Sequence, residues 1–481
     1  MLPFRSVKEL KRAVDWKSCL KLSAEGYYHL QTEDTGDVPI RLFFTPRLLE
    51  AAEVNLYSQI VNATRFPGVK LVVITPDAHF GYGVPVGCVL LTDATKGAVA
   101  MGPVGYDIGC GMMSASSAVP AEEATPEKRM QFNRAVMERV DLGAGGKSRR
   151  FGRINEKEFN ELVRGGAEYY VEKYGSKFDR SRAERDRIPV EESWNIPWGG
   201  RGRPERGLDQ LGSLGGGNHF IELQRSEQTG TLFLQVHTGS RGFGHGLATN
   251  YFDLASSSHP DLVTHIDLGF FTPDSAHYRD YLNAVAAGGN YAILNRLIIF
   301  EQVAEAFRNV FKADLELVYE ISHNLVQKEW HPDFGNVLVH RKGATRAFPA
   351  GHPALKGTLW ENKGHPVLIP GSNKDWSYIL RPLPHAARSG YSVNHGAGRR
   401  MSRGEAIRTL SQSEIDRDYK RAGILVNTDG RVPLDEASPC YKPSEEVIEA
   451  ITSAGLAEIE HKLWPLSSIK GVEDRKRRHR R

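Results

Sequence analysis

Four times along this chain an apolar, strand-like run meets a glycine-rich or polar turn that holds a side chain able to ligate a metal. The first is Gly105-Tyr106-Asp107-Ile108-Gly109-Cys110-Gly111, where a carboxylate and a thiol three residues apart are flanked by glycines and can turn onto one ion. The second is Leu214-Gly215-Gly216-Gly217-Asn218-His219-Phe220-Ile221-Glu222. The third is Phe233-Leu234-Gln235-Val236-His237-Thr238-Gly239-Ser240-Arg241, and the fourth Tyr319-Glu320-Ile321-Ser322-His323-Asn324. Alone, a histidine after a strand is usually a hydrogen-bonded structural residue, and a buried cysteine is a small hydrophobe. Their recurrence constrains the fold, because strands lying side by side converge their C-terminal residues on a common site. Asp107, Cys110, His219, His237 and His323 together can hold one or two divalent ions, with the thiolate suited to bridging. Cys and His favour zinc by softness, while the carboxylate also suits manganese.

A fifth segment has a different chemistry. In Ser392-Val393-Asn394-His395-Gly396-Ala397-Gly398-Arg399-Arg400 a histidine opens a glycine-rich turn followed at once by arginine. Small residues let backbone N–H groups approach phosphate oxygens, and Arg399 can neutralise phosphoryl charge. A neutral imidazole is a competent nucleophile toward phosphorus.

The rest of the chain frames these segments. Its 481 residues are 40% hydrophobic and 25% charged, which is globular composition and excludes a disordered or fibrous protein. The 62 Lys and Arg against 58 Asp and Glu leave a net charge of only +4, too little to argue for nucleic acid by itself. Four cysteines make no disulfide framework, so a reducing, cytoplasmic setting is expected. No apolar signal segment and no run of 18 or more apolar residues is visible, so no membrane span is expected.

Residues 71–75 and 84–91 read as strands, with Pro76 to Tyr82 a turn-rich loop between them. Apolar residues from Ile293 to Val310 recur at helical spacing. Leu315 to His323 alternate as a strand, and 445–463 reads as a closing helix interrupted at Gly455. Residues 144–206 read as a helical, basic insertion ending in a flexible loop, Gly199 to Arg206, within a single catalytic domain spanning 1–481. Residues 472–481 read as a basic, solvated tail.

Taken in order, the motifs resemble the RtcB family of RNA-splicing ligases from about residue 40 to Gly471. They are Pro76-Asp77-Ala78-His79-Phe80-Gly81-Tyr82-Gly83, the Asp107 and Cys110 segment, Gly217-Asn218-His219-Phe220-Ile221-Glu222 and His237-Thr238-Gly239-Ser240-Arg241-Gly242. Ser322-His323-Asn324, the run His340 to Phe348, His395-Gly396-Ala397-Gly398-Arg399 and Ile469-Lys470-Gly471 complete the series. The resemblance implies an α+β fold of stacked β-sheets with surrounding helices and metals in a central cleft. It implies GTP and two manganese ions as cofactors, and RNA with 3′-phosphate or 2′,3′-cyclic phosphate and 5′-hydroxyl ends as substrate. An accessory activating protein is compatible with it.

By the same resemblance Cys110 bridges two ions, completed by His237 and His323 on one side and by Asp107 and His219 on the other. His395 carries covalent GMP. Asn218, His219, Phe220, Ile221, Glu222, His323, Asn324, Pro370, Gly371, Ser372, Asn373, Ser377, Gly396, Ala397, Gly398, Tyr441 and Lys470 fall where the family holds the nucleotide, with Glu222 and Lys470 reading guanine. Arg241, Arg341, Lys342, Arg346 and Arg399 are expected to meet RNA or its phosphates. The chain departs from the family after Ser372, where Met-Gly-Thr is replaced by Asn373-Lys374-Asp375. Lys374 and Asp375 are expected at the lip of the nucleotide cleft, since burying both charges is costly. The competing readings are a metal-dependent hydrolase of cyclic phosphates, which needs no His395, and a non-catalytic RNA-binding paralogue, which needs neither nucleophile nor ligands.

Overall fold

Alternate residues of a strand face opposite ways, and in the computed structural model of this chain that rule stacks two sheets back to back. The structure describes residue 4 and residues 15–175 and 187–471. Strands Val69–His79 and Val86–Asp93 turn Leu71, Val73, Val89 and Leu91 toward one core and Val72, Ile74, Cys88 and Leu90 toward another. The first of these cores is shared with Met112, Phe233, Tyr319 and Ile321 of the second sheet. Met113, Ala115, Leu232, Leu234 and Val236 leave that sheet on its far side and pack on Ile293, Leu297, Val303 and Phe307 of the long helix His277–Phe311. Helices Pro46–Ala51 and Leu56–Ala63 cover the outer face of the first sheet. The layers are therefore helix, sheet, sheet, helix, the α+β stack expected from the sequence.

The first sheet has seven strands and ends with Val86–Asp93, Gly335–Lys342 and Asn324–His331. The second has seven strands in line, beginning Glu316–Ser322, Gly111–Pro120, Thr231–Thr238, Phe220–Ser226 and Ala457–Ile469, with Leu425–Val426 paired parallel to the last. Neighbours in the first four are antiparallel, and Gly111 lies opposite both Ser322 and Thr238. That register corrects one expectation. The shared site is built from strand starts, at Gly111 and Phe220, as well as strand ends, at Thr238 and Ser322, because antiparallel neighbours present opposite termini at one edge.

Three further expectations are corrected. The strand Val69–His79 runs through most of the predicted Pro76–Tyr82 loop, bulging between Ile74 and His79. The predicted closing helix is helix only over Ser444–Ser453; Gly455 takes φ +66, and Ala457–Ile469 is a sheet strand. The basic run Gly199–Arg206, read as flexible, is tied down, since Arg201 pairs with Asp253 at 2.6 Å and Asn250 bonds Gly199 O and Gly202 N. Within 144–206 the helix Glu156–Tyr174 packs Phe159, Leu162 and Tyr170 beside Tyr281 and Tyr291 of the long helix. Residues 176–186 of that stretch, and the tail 472–481, lie outside the described residues. Among the described residues no helix is long and apolar enough to cross a membrane.

Candidate active site

The four strand termini bring Asp107, Cys110, His219, His237 and His323 into two overlapping groups, Cys110–His237–His323 and Asp107–Cys110–His219, with Cys110 common to both. Cys110 Sγ is 3.3 Å from His237 Nε2 and 3.6 Å from His219 Nε2; His219 Nε2 is 3.0 Å from Asp107 Oδ2, and His237 Nε2 is 3.3 Å from His323 Nε2. Donors sharing one tetrahedral ion with bonds of about 2.1 to 2.3 Å lie about 3.4 to 3.8 Å apart, so the spacing approaches that of a ligand shell.

The imidazole orientations fit the same purpose. His219 Nδ1 lies 3.1 Å from Leu214 O and His237 Nδ1 3.1 Å from Asn218 O. Each Nδ1–H thus donates to a carbonyl, which leaves the Nε2 lone pair facing the cluster. Burial, and then the neighbouring histidines, hold His237 and His323 well below the usual histidine range, so both are neutral. Burial, and then the charge of Asp107, push the Cys110 thiol well up. A buried thiol so placed becomes a thiolate when a cation supplies the missing charge. The donor set therefore fits divalent metal.

His395 stands beside this cluster, its ring centroid 4.9 Å from that of His323. It follows the strand Ser392–Asn394, which pairs with Ala344–Arg346. Its Nδ1 is 2.6 Å from Asp77 Oδ2, and the same oxygen accepts from the backbone N–H of His395 at 3.1 Å and of Gly396 at 3.2 Å. Thr75 Oγ1 donates to the other oxygen at 2.6 Å. Burial pushes Asp77 up, but the charge and hydrogen bond of His395 outweigh it and keep the carboxyl below its ordinary value. An ionised Asp77 fixes Nδ1 as the protonated nitrogen and leaves Nε2 its lone pair.

A cavity of about 330 Å³ joins these parts. Its walls include Asp107, Cys110, His237, His323, Asn218, Phe220, Asn324, Pro370, Gly371, Ser372, Asn373, His395, Gly396, Ala397, Gly398, Tyr441 and Lys470, with Lys342 and Arg399 from the expected phosphate group. Glu222 and Ser377 lie off the wall and share a hydrogen-bond partner in Gln224, whose Nε2 donates to Glu222 Oε1 at 2.7 Å and to Ser377 Oγ at 3.2 Å. Burial raises the Glu222 carboxyl to about 7. The Ile221 side chain faces the opposite side of its strand from this cavity and packs against the long helix.

Three of the arginines expected on RNA lie away from this cavity. Arg341 is buried and binds Glu329 and Ser392 Oγ. Arg241 is buried on Gly143 O and Ser213 Oγ. Arg346 lies over Phe348, off the cavity. Lys342 reaches the wall, but its amine donates to Tyr82 O and Val84 O, and burial lowers it to about 8. Lys374 and Asp375 do not line the cavity either: Lys374 pairs with Asp418, and Asp375 accepts from Ser444 N at 2.8 Å.

Sequence reasoning missed two parts. Asp77 stood within a quoted motif but was given no role. Glu436 had no signal at all, yet its buried carboxylate gathers Arg403 at 3.1 Å, Arg399 at 3.4 Å, Lys470 at 3.8 Å and the Tyr441 hydroxyl. Three cations against one carboxylate leave a positive wall suited to phosphate.

The comparisons with known proteins agree in direction. A family model described as tRNA-splicing ligase RtcB matches residues 59–471. The chain is similar to a protein named tRNA-splicing ligase RtcB in Methanococcus maripaludis, 32% identical over 95% of this chain and 100% of the relative. One of that name in Thermococcus kodakarensis is 33% identical over 90% of this chain and 95% of the relative. A protein named RNA-splicing ligase RtcB in Mycobacterium bovis is 35% identical over 86% of this chain and 100% of the relative.

Proposed function

The chain belongs to the RtcB family, and from that premise we propose a GTP- and manganese-dependent RNA ligase. It joins RNA ending in a 3′-phosphate or 2′,3′-cyclic phosphate to RNA beginning with a 5′-hydroxyl, in tRNA splicing or RNA repair. The observation that carries the reading is His395, held through Nδ1 by Asp77 and placed beside the Asp, Cys and His donor cluster.

His395 Nε2 attacks the α-phosphorus of GTP, the bond to the β-phosphate oxygen breaks, and pyrophosphate leaves. The ring keeps its Nδ1 proton and becomes cationic, a charge that the Asp77 carboxylate faces directly. An oxygen of the RNA 3′-phosphate then attacks the same phosphorus, the N–P bond breaks, and His395 returns to neutrality. The 5′-hydroxyl oxygen attacks the activated RNA phosphorus, GMP leaves, and the hydroxyl proton passes to solvent. A cyclic end is first opened by water. Manganese on Asp107, Cys110, His219, His237 and His323 supplies Lewis-acid neutralisation of the crowded phosphates. Asn218, Phe220, Ser372, Asn373, Gly396 to Gly398, Tyr441 and Lys470 hold the nucleotide, and Arg399 and Arg403 meet its phosphates.

The test needs no RNA. Incubation with α-labelled GTP and manganese, followed by a denaturing gel, is expected to give an acid-labile labelled band. His395→Ala removes it while thermal stability is kept. A full-strength band in that variant would overturn the assignment.

A further inference from the structure

Tyr82 is 69% exposed at the mouth of the cavity, yet the backbone of its loop is held by side-chain hydrogen bonds. The N–H of Phe80 donates to Glu53 at 2.6 Å, and Gly81 exchanges two hydrogen bonds with the Gln59 side chain, at 2.9 and 2.7 Å. Asn62 Nδ2 donates to Gly83 O at 3.3 Å, and Lys342 Nζ to Tyr82 O at 2.7 Å and Val84 O at 3.0 Å. Gln59, Asn62 and Lys342 are buried. The glycines on either side are closely hemmed in: a Cβ at Gly81 would lie 2.9 Å from Val84 O, and one at Gly83, where φ is +71, the same distance from Asp267 Cβ. Four polar side chains thus brace a loop whose central ring, among the described residues, packs on no other aromatic. Such bracing satisfies the buried Gln59, Asn62 and Lys342 side chains. It also fixes the backbone from which a flat π-face projects, which lowers the entropic cost of stacking a base.

The location selects the ligand. Lys342, which holds the Tyr82 carbonyl, precedes Gly343, and a Cβ there would lie 2.7 Å from Val86 Cγ1 and 2.9 Å from His395 Cε1. The loop therefore flanks the histidine, and the cavity wall continues from Tyr82 and Val86 to the metal donors. We propose that Tyr82 is a stacking platform for the base of the nucleotide carrying the RNA 3′-phosphate, an inference that rests on the ligase reading. Every base has a π-face, so the platform accepts any 3′-terminal base while fixing its phosphate near His395.

The test uses a short RNA 3′-phosphate with 2-aminopurine as its terminal base, added to the full-length protein with manganese and no GTP. Stacking on Tyr82 quenches the fluorescence. Tyr82→Ala is expected to remove the quench and weaken binding by about 5- to 150-fold, and Tyr82→Trp to restore both. RNA with an abasic terminal nucleotide is expected to bind wild type as weakly as the variant, with no further loss on combining the two. Phe80→Ala, exposed in the same loop but off the cavity wall, keeps the quench. Wild-type quenching and affinity in Tyr82→Ala, or quenching that follows 2-aminopurine at the 5′-hydroxyl end instead, overturns the platform. The labelled GMP adduct is measured in the same preparations. Its absence from wild type defeats the ligase reading, whereas its presence alongside unaltered quenching in Tyr82→Ala defeats only the platform.

Discussion

At the scale of single residues, two carboxylates have opposite problems. Asp77 is buried but satisfied, and its work is to choose the tautomer of His395. Asp77→Asn keeps the shape but offers an amide that can donate to Nδ1, which favours the proton on Nε2 and removes the lone pair proposed to attack phosphorus. Formation of the GMP adduct is expected to slow by on the order of 10²- to 10⁴-fold, with GTP affinity nearly unchanged, measured by single-turnover labelling. Equal losses in affinity and rate would instead mark a packing defect. Glu222 is buried and costly. Its folded pKa of about 7 lies above the ordinary 4.5, so between these values the unfolded chain releases a proton that the folded protein retains. Stability therefore falls as pH rises through that window, and the whole cost, about 3 kcal/mol at 1.36 kcal/mol per unit, is present above pH 7. Glu222→Gln is expected to raise the melting temperature at pH 8 and to change little at pH 4. If Glu222 reads guanine, as the family resemblance implies, the same variant loses the preference for GTP over ATP. An unchanged melting temperature at pH 8 would mean that the carboxylate is better solvated than its burial indicates.

At the scale of elements, three of the strand termini are tied together by one side chain from the long helix. Arg296 is fully buried; its Nη1 donates to Gly109 O and Thr238 O, both at 2.8 Å, its Nη2 to Ser322 Oγ at 2.8 Å, and its Nε to Glu320 at 2.7 Å. Gly109, Thr238 and Ser322 each adjoin a donor, namely Cys110, His237 and His323. Arg296→Met leaves Glu320 as an uncompensated buried charge, expected to cost about 3 to 5 kcal/mol in a denaturant titration. Adding Glu320→Leu should recover part of that loss but not the manganese affinity, because the carbonyls then have no common anchor. Recovery of both would show that Arg296 acts only as a counter-ion. This helix also marks the limit of what was legible beforehand. The donors were readable because glycine-flanked ligands on period-two strands are a local pattern. His395 was readable because its turn is local too. Asp77 lies 318 residues from His395, and Glu436 draws its cations from two distant stretches, Arg399 with Arg403 and Lys470, so neither had a local signature. That Arg241 and Arg341 are buried was not legible, because charge is visible in a sequence and burial is not. The segment after Ser453 was misread because Gly455 turns the chain from helix to strand with no change in apolar content.

At the scale of the whole molecule, the donor cluster sits where the two sheets meet. Glu316–Ser322 belongs to the second sheet and Asn324–His331 to the first, so at this crossing the chain passes between them across His323 alone. Its N–H donates to Cys110 O at 2.7 Å, and its carbonyl accepts from Ala344 N at 3.2 Å, which ties the crossing point to both neighbours. A cation bound there joins Cys110 and His237 of one sheet to the pivot from which the other departs. Binding to the folded state alone adds about 2.7 kcal/mol per site at a hundred times the dissociation constant. Manganese is therefore expected to raise the melting temperature and a chelator to reverse it. Cys110→Ala should forfeit nearly the whole increment, and His323→Ala about half, if Cys110 serves both groups and His323 one. Hydrogen exchange locates the effect. Amides of Gly111–Pro120 and Thr231–Thr238 should slow on adding metal, and so should those of Asn324–His331 and Gly335–Lys342 across the junction. Protection confined to the first pair would make the metals a local feature of one sheet. Protection of both pairs would make them the clasp that holds this edge of the two sheets in one register, as the proposed transfer of GMP from His395 would require.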